Sequence, residues 1–108
     1  MFDQKNAQEI SGTIHKFEFT NPHTYIEVDV VGADGATMKR YRLEGPTPAI
    51  LKRLGWNRST LKPGDKVKFR IHPLRDGRPG GQARQVTLAN GKVLSAVNED
   101  TDYTKSVE

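Results

Sequence analysis

The chain has 108 residues, which is the usual size of one domain. It carries 17 Lys and Arg against 13 Asp and Glu, a formal net charge of +4. Cysteine is absent, so disulfides, thiol nucleophiles and Cys-ligated zinc or iron–sulfur sites are excluded. No apolar run approaches the ~20 residues that a membrane-spanning helix needs. These features predict one mildly basic domain without a membrane span.

The charge is unevenly distributed along the chain. Residues 95–108 contain four acidic residues and one lysine, few apolar residues and no regular hydrophobic period. Such a composition is typical of poorly ordered chain termini. We therefore predict a single domain over residues 1–94, with the excess positive charge, and an acidic, poorly ordered tail over residues 95–108.

The first predicted strand changes the parity of its apolar residues. Ile10, Gly12 and Ile14 share one parity, whereas Phe17 and Phe19 share the other. Since side chains alternate between the two faces of a strand, such a change indicates a bulge or a sharp coil.

Further strands and one helix follow. Apolar and polar residues alternate over residues 25–30, 40–44, 66–71 and 85–88, which is the strand period, and a hairpin-like turn follows at residues 89–92. A helix is predicted from an N-cap at Thr47, and Gly55 fits the position after its end. We expect the helix to bury an apolar stripe formed by Ala49, Ile50, Leu51 and Leu54. The tryptophan after the helix, Trp56, should fill the core.

The order of three strands, a helix and two strands predicts an all-β protein. It matches the five-stranded Greek-key barrel called the OB-fold, with the helix between strands 3 and 4. Another small antiparallel barrel or sandwich is the alternative.

The candidate site lies in two loops. OB-folds commonly meet ligands around strands 2 and 3 and at the loops joining strands 1–2 and 4–5. The least generic segments, residues 20–24 (TNPHT) and 72–81 (HPLRDGRPGG), fall in those loops. We expect an imidazole to orient or coordinate a ligand, a tyrosine to stack on it, and arginines to hold an anionic group. The predicted site residues are Asn21, His23, Tyr25, His72, Arg75 and Arg78.

Two other binding functions stay open. The first alternative is a divalent metal cofactor, copper or zinc, held by His23 and His72 with Asp76 as a third ligand. No known metal-binding motif is present. His15 is expected opposite Glu27, on the order of 13 Å from His23, too far to share a metal.

The second alternative is single-stranded nucleic acid. A basic stripe would attract phosphates. Such binding also requires outward aromatic platforms, for which only Tyr25 has the right parity, and acidic residues interrupt the stripe. Nucleic acid is therefore a less favoured partner than a small anionic ligand or a protein. The stripe comprises Lys39, Arg40, Arg42, Lys66, Lys68 and Arg70.

Catalysis finds no support in the sequence. No Ser-His-Asp order, nucleophile elbow or activated thiol is present. We therefore predict a protein that is not an enzyme.

Several spaced motifs resemble a known family. They are residues 12–14 (GTI), 17–23 (FEFTNPH), 43–45 (LEG) with Pro48, 53–56 (RLGW), 61–67 (LKPGDKV), Pro73 with 76–77 (DG), 86–88 (VTL) and 90–94 (NGKVL). Over residues 2–94 the chain is similar to small exported bacterial proteins of uncharacterised function that share a Thr-Asn-Pro-His signature. The resemblance implies a periplasmic protein whose signal peptide has been removed, with no established activity. Members often carry a His-His-Ser segment just before this region, which this chain lacks, so metal chemistry of those histidines does not transfer.

Overall fold

The computed structural model describes residues 1–97 as six strands and one short helix. Residues 98–108 of the predicted tail lie outside the described residues. Within residues 1–97, no helix combines the length and apolar character needed to cross a membrane. In chain order the elements are β1 (Gln8–Glu18), β2 (Thr24–Val31), β3 (Met38–Gly45), α1 (Pro48–Arg53), β4 (Lys66–Pro73), β5 (Gly80–Thr87) and β6 (Val93–Ser95).

The strands form a closed barrel. Their order in the sheet is β3-β2-β1-β4-β5-β6, and all these neighbours pair antiparallel. A parallel pairing of β3 with β5 joins the ends and closes five strands into a barrel, while β6 pairs only with β5. The predicted five-stranded OB-fold-like barrel, with its helix between β3 and β4, is confirmed.

A bulge in β1 explains the change of parity. Ile14 pairs with Val28 and Lys16 pairs with Glu27, so His15 is an extra residue in β1. Apolar residues on both sides of this bulge therefore face the barrel interior. Gly12 allows the close approach of β1 to β2, because a Cβ there would lie 2.3 Å from the carbonyl oxygen of Asp29.

The core lies inside the barrel and under the helix. Thr47 caps α1, since its hydroxyl accepts from the amide N–H of Ile50 at 3.4 Å. Of the predicted stripe, Leu51 is buried and Ile50 and Leu54 are half-buried, but Ala49 is exposed because this six-residue helix turns only one narrow face to the barrel. The fully buried residues of greatest volume include Trp56, Phe69, Ile14, Ile26, Leu43 and Leu51.

The domain continues beyond residue 94. Ser95 ends β6, and its carbonyl accepts a 2.9 Å hydrogen bond from the indole N–H of Trp56. Ala96 is buried, and its amide N–H donates to the carbonyl of Arg84. The first residues of the predicted tail therefore belong to the packed structure, because the hairpin after β5 returns along that strand.

Two adjacent glycines allow the barrel to close. A Cβ at Gly80 would lie 2.7 Å from the carbonyl oxygen of Arg42 on β3. A Cβ at Gly81 would lie 2.3 Å from the carbonyl oxygen of His72 on β4. The backbones of β3 and β4 therefore lie so close to Gly80 and Gly81, the first two residues of β5, that neither position has room for a Cβ atom.

Replacing Gly81 with alanine should destabilise the barrel. The added methyl group meets backbone that cannot move away without opening the β4–β5 pairing, so we expect a loss of about 2 kcal/mol in the free energy of unfolding, measured by urea denaturation. Gly45→Ala is the matched control, because its Cβ would meet only ordinary contacts at 3.7 Å. Equal stability of the two variants would contradict this account of closure.

Asp34 organises the turn between β2 and β3. Its Oδ1 accepts from the amide N–H groups of Ala36 and Thr37, both at 2.9 Å, and its Oδ2 accepts from the Thr37 hydroxyl. Hydrogen bonding by Thr37, ahead of that by Ala36, lowers the pKa of Asp34 from 3.8 to about 2. The turn holds the β2–β3 register on which the site described below depends.

The carboxyl of Asp34 should titrate near pH 2. A folded-state pKa below the unfolded value means that the carboxylate supports the turn fully above pH 4 and that this support is lost as the pH falls through 2. In an NMR titration the amide signals of Ala36 and Thr37 should follow the same midpoint, and Asp34→Asn should remove that transition. A midpoint near 3.8 would rule out these hydrogen bonds in solution.

Candidate functional site

A cleft opens at the edge of the barrel where β2 begins and β3 ends. Its volume is about 380 Å³. The N-terminal residues and the β4–β5 connection form the opposite wall. Its lining residues are Met1, Phe2, Tyr25, Arg42, Glu44, Leu74, Arg78, Pro79 and Gly81.

Strand register brings these segments together. Tyr25 pairs with Glu44 across β2 and β3, and Glu44 pairs with Gln82 across β3 and β5. The amide N–H of Arg42 also donates to the carbonyl of Pro79 at 3.4 Å. The entry to β2 and the loop before β5 therefore lie at one edge of the barrel, with β3 between them.

Tyr25 forms the aromatic part of the cleft. It projects outward from β2, and the guanidinium carbon of Arg42 lies 4.2 Å from its ring centroid. This is a cation–π contact, which orients both side chains. The hydroxyl of Tyr25 donates to Oε1 of Glu44 at 3.4 Å.

Glu44 is the carboxylate of the cleft. Its side chain is 31% exposed, and its Oε1 lies 3.8 Å from Nδ1 of His23. Within residues 1–97 no lysine or arginine makes an ion pair with it. His23, whose ring centroid is 6.5 Å from that of Tyr25, therefore stands at the rim beside Glu44.

The two arginines of the cleft already have carboxylate partners. Nη1 of Arg42 lies 3.3 Å from Oε2 of Glu27 and 3.6 Å from Oε1 of Glu18. Nε of Arg78 donates to Oδ2 of Asp76 at 2.7 Å. The Arg78 amide, more than its guanidinium, lowers the pKa of Asp76. Each arginine of the cleft is thus already engaged by a carboxylate through one nitrogen, while its guanidinium stays largely exposed.

The N-terminal residues supply the apolar wall. The amide N–H of Asp3 donates to the Pro73 carbonyl at 2.7 Å, and that of Arg75 donates to the Met1 carbonyl at 3.0 Å. Nε of Arg75 donates to the carbonyl of Phe2 at 3.3 Å. Arg75 therefore holds the wall in place and does not line the cleft.

The structure brings together part of the predicted site. Tyr25 and Arg78 line the cleft and His23 stands at its rim. Asn21 lies in the exposed turn before β2, where its bond to Pro22 is cis, and is not a lining residue. His72 is 8% exposed on β4, opposite Gln82, and does not line the cleft.

Sequence reasoning missed four lining residues of the cleft outside the two predicted segments: Met1, Phe2, Arg42 and Glu44. Arg42 and Glu44 have the outward parity of β3, so correct alignment of β3 with β2 would have placed them beside Tyr25. Phe2 carries no such signal, because its position depends on pairing with Leu74, far away in the sequence.

The proposed metal ligands do not form a cluster in the described part of the chain. Among residues 1–97, no group of three or more His, Asp and Glu side chains is arranged to hold a metal ion. Asp76 is engaged by Arg78, and His23 has Glu44 as its neighbour.

The predicted basic stripe is divided between β3 and β4, which do not pair with each other. On β3, Nε of Arg40 donates to Oδ1 of Asp29 at 2.7 Å, which lowers the pKa of that carboxyl. His15 lies 3.8 Å from Glu27, the neighbour predicted for it. The three cations of the stripe on β4 project from its outer face: Lys66, Lys68 and Arg70.

The closed barrel and its edge cleft define a small OB-type barrel protein. The chain belongs to a family of unknown function, DUF6152, whose model matches residues 1–85. That range includes every lining residue of the cleft. A comparison with curated proteins gives no match.

Proposed function

We propose that this protein is a non-enzymatic binding or accessory module whose ligand occupies the cleft. The observation that carries the proposal is a concavity of about 380 Å³ at the β2–β3 edge of the barrel. Small-molecule sites commonly span about 300–1,000 Å³, and OB-folds meet their ligands at this edge.

The lining of the cleft supports binding. Phe2, Leu74 and Pro79 offer apolar surface, and Tyr25 adds an aromatic ring beside a few fixed polar groups. This mixture is typical of small-molecule sites. None of the nine lining residues is a serine, threonine, cysteine or histidine, so the cleft lining holds none of the Ser–His or Cys–His pairs of nucleophilic catalysis.

His23 takes a positioning role in this proposal. Its distance of 3.8 Å from Oε1 of Glu44 allows a charged imidazole to attract that carboxylate. The predicted anionic ligand, by contrast, would meet arginines whose charge is already partly offset, that of Arg42 by Glu27 and that of Arg78 by Asp76.

Small aromatic fragments should bind at the cleft. In an NMR titration of the 108-residue chain, we expect the largest shifts at the amides of Tyr25, Glu44 and Gly81. Tyr25→Leu should weaken binding about fivefold, because it removes one of the two aromatic rings that line the cleft, the other being that of Phe2. Lys68→Ala, on the outer face of β4, is the control and should bind as the unchanged protein does.

Other outcomes would replace the proposal. Joint shifts of His23 and His72 on addition of copper or zinc would favour the metal alternative. Salt-dependent binding of an oligonucleotide that falls when Lys68 and Arg70 are neutralised would favour nucleic acid. Fragments that perturb no cleft amide would argue against a ligand site there.

The periplasm is the compartment in which we propose that this module acts. The support is the resemblance to exported bacterial proteins over residues 2–94. Cells that express the gene with its native upstream sequence should hold the protein in the fraction released by osmotic shock, with a cytoplasmic enzyme as the control. Retention with that enzyme would contradict export.

A further inference from the structure

We infer that the ligand of the cleft carries an ammonium group next to an apolar or aromatic group, and that Glu44 recognises the ammonium. This inference rests on the proposed function, because it names the class of ligand for the same cleft. It differs from the anionic ligand predicted from the arginine-rich loop.

The two arginines of the cleft are already paired with carboxylates. Arg42 is shared between Glu18 and Glu27 and lies over the ring of Tyr25. Arg78 is paired with Asp76 at 2.7 Å. Each guanidinium keeps free N–H donors, but its charge is already partly offset by a neighbouring carboxylate, which weakens its attraction for an anionic ligand.

The carboxylate of Glu44 keeps unused hydrogen-bond acceptor positions. Its Oε1 has one long hydrogen bond, 3.4 Å from the Tyr25 hydroxyl, and a 3.8 Å contact with His23. Within residues 1–97 its Oε2 accepts no hydrogen bond. A carboxylate offers about four acceptor positions, so Glu44 keeps most of its capacity for a ligand that donates.

The charged groups around the Glu44 carboxylate determine which ligand charge it attracts. The other carboxylates near this edge, those of Glu18, Glu27 and Asp76, each have an arginine partner, and Lys16 also lies 3.9 Å from Glu18. Glu44 differs from them, because no lysine or arginine of residues 1–97 makes an ion pair with it. Its charge therefore remains available to a positively charged ligand.

The shape of the cleft provides an apolar surface next to Glu44. Phe2, Leu74 and Pro79 form a wall that faces the polar strand residues. An ammonium held at Glu44 would place the rest of the ligand against this wall, where apolar surface gains from burial. Partial shielding from water also strengthens the charge pair beyond that of a fully exposed pair.

Three probes of one shape test the inference. They are 2-phenylethylamine (cationic), 2-phenylethanol (neutral) and 3-phenylpropionate (anionic), each titrated into the 108-residue chain and followed at the amides of Tyr25, Glu44 and Gly81. We expect the amine to bind most tightly. Glu44→Gln should weaken it about fivefold, as expected for a partly exposed pair, and leave 2-phenylethanol unchanged.

The matched control is Glu9→Gln, which removes an exposed carboxylate from β1 outside the cleft. It should bind the amine as the unchanged protein does, and the near-ultraviolet signal of buried Trp56 should confirm that both variants are folded.

The outcomes separate the two proposals. Tighter binding of 3-phenylpropionate at the cleft, or equal amine affinity in Glu44→Gln and the unchanged protein, would overturn the ammonium inference and leave the cleft as a site. If none of the probes perturbed the cleft amides, the inference would fall together with the proposed function.

Discussion

The parallel contact between β3 and β5 is the constraint on which the barrel and its cleft depend. It needs backbone on either side of Gly80 and Gly81 to approach more closely than any side chain would allow. The same contact brings the carbonyl of Pro79 to the amide of Arg42. Because Arg42 pairs with Glu27 across the β2–β3 ladder, closing the barrel also fixes the polar side of the cleft. The polar side of the cleft is therefore a geometric consequence of closure, whereas the N-terminal residues supply the apolar side.

The outer face of β1, β2 and β3 determines which charges remain available at that cleft. Glu27 and Asp29 on β2 lie between His15 on β1 and the guanidinium groups of Arg40 and Arg42 on β3. Exposed pairs of this kind contribute little to stability. For the proposed ligand site they bear on selectivity, because they engage the arginines and leave Glu44 as the cleft carboxylate without a lysine or arginine partner.

The fold was largely predictable from the sequence, whereas the site was predictable only in part. Strand alternation, the bulge in β1 and the capped helix are local patterns, so they can be recognised without knowing how distant segments pack. The position of Tyr25 and Arg78 at the cleft was predictable because OB barrels bind at a known edge. The position of Arg75 outside the cleft was not, because its contact with Phe2 joins segments 73 residues apart. Likewise, no local pattern indicates that Glu44 has no lysine or arginine partner, since that depends on the register of β2 with β3.

The two sides of the cleft are held with different strength. Tyr25, Arg42 and Glu44 lie on paired strands whose other faces are packed in the core. Phe2, on the apolar side, is held by an isolated bridge to Leu74 and a few hydrogen bonds from the segment around it. Segments with few backbone bonds and little burial open at lower free energy than paired core strands. The polar groups are thus held in fixed positions, whereas the apolar wall can move apart at lower free energy. We therefore expect the cleft to discriminate between ligands by charge more sharply than by size.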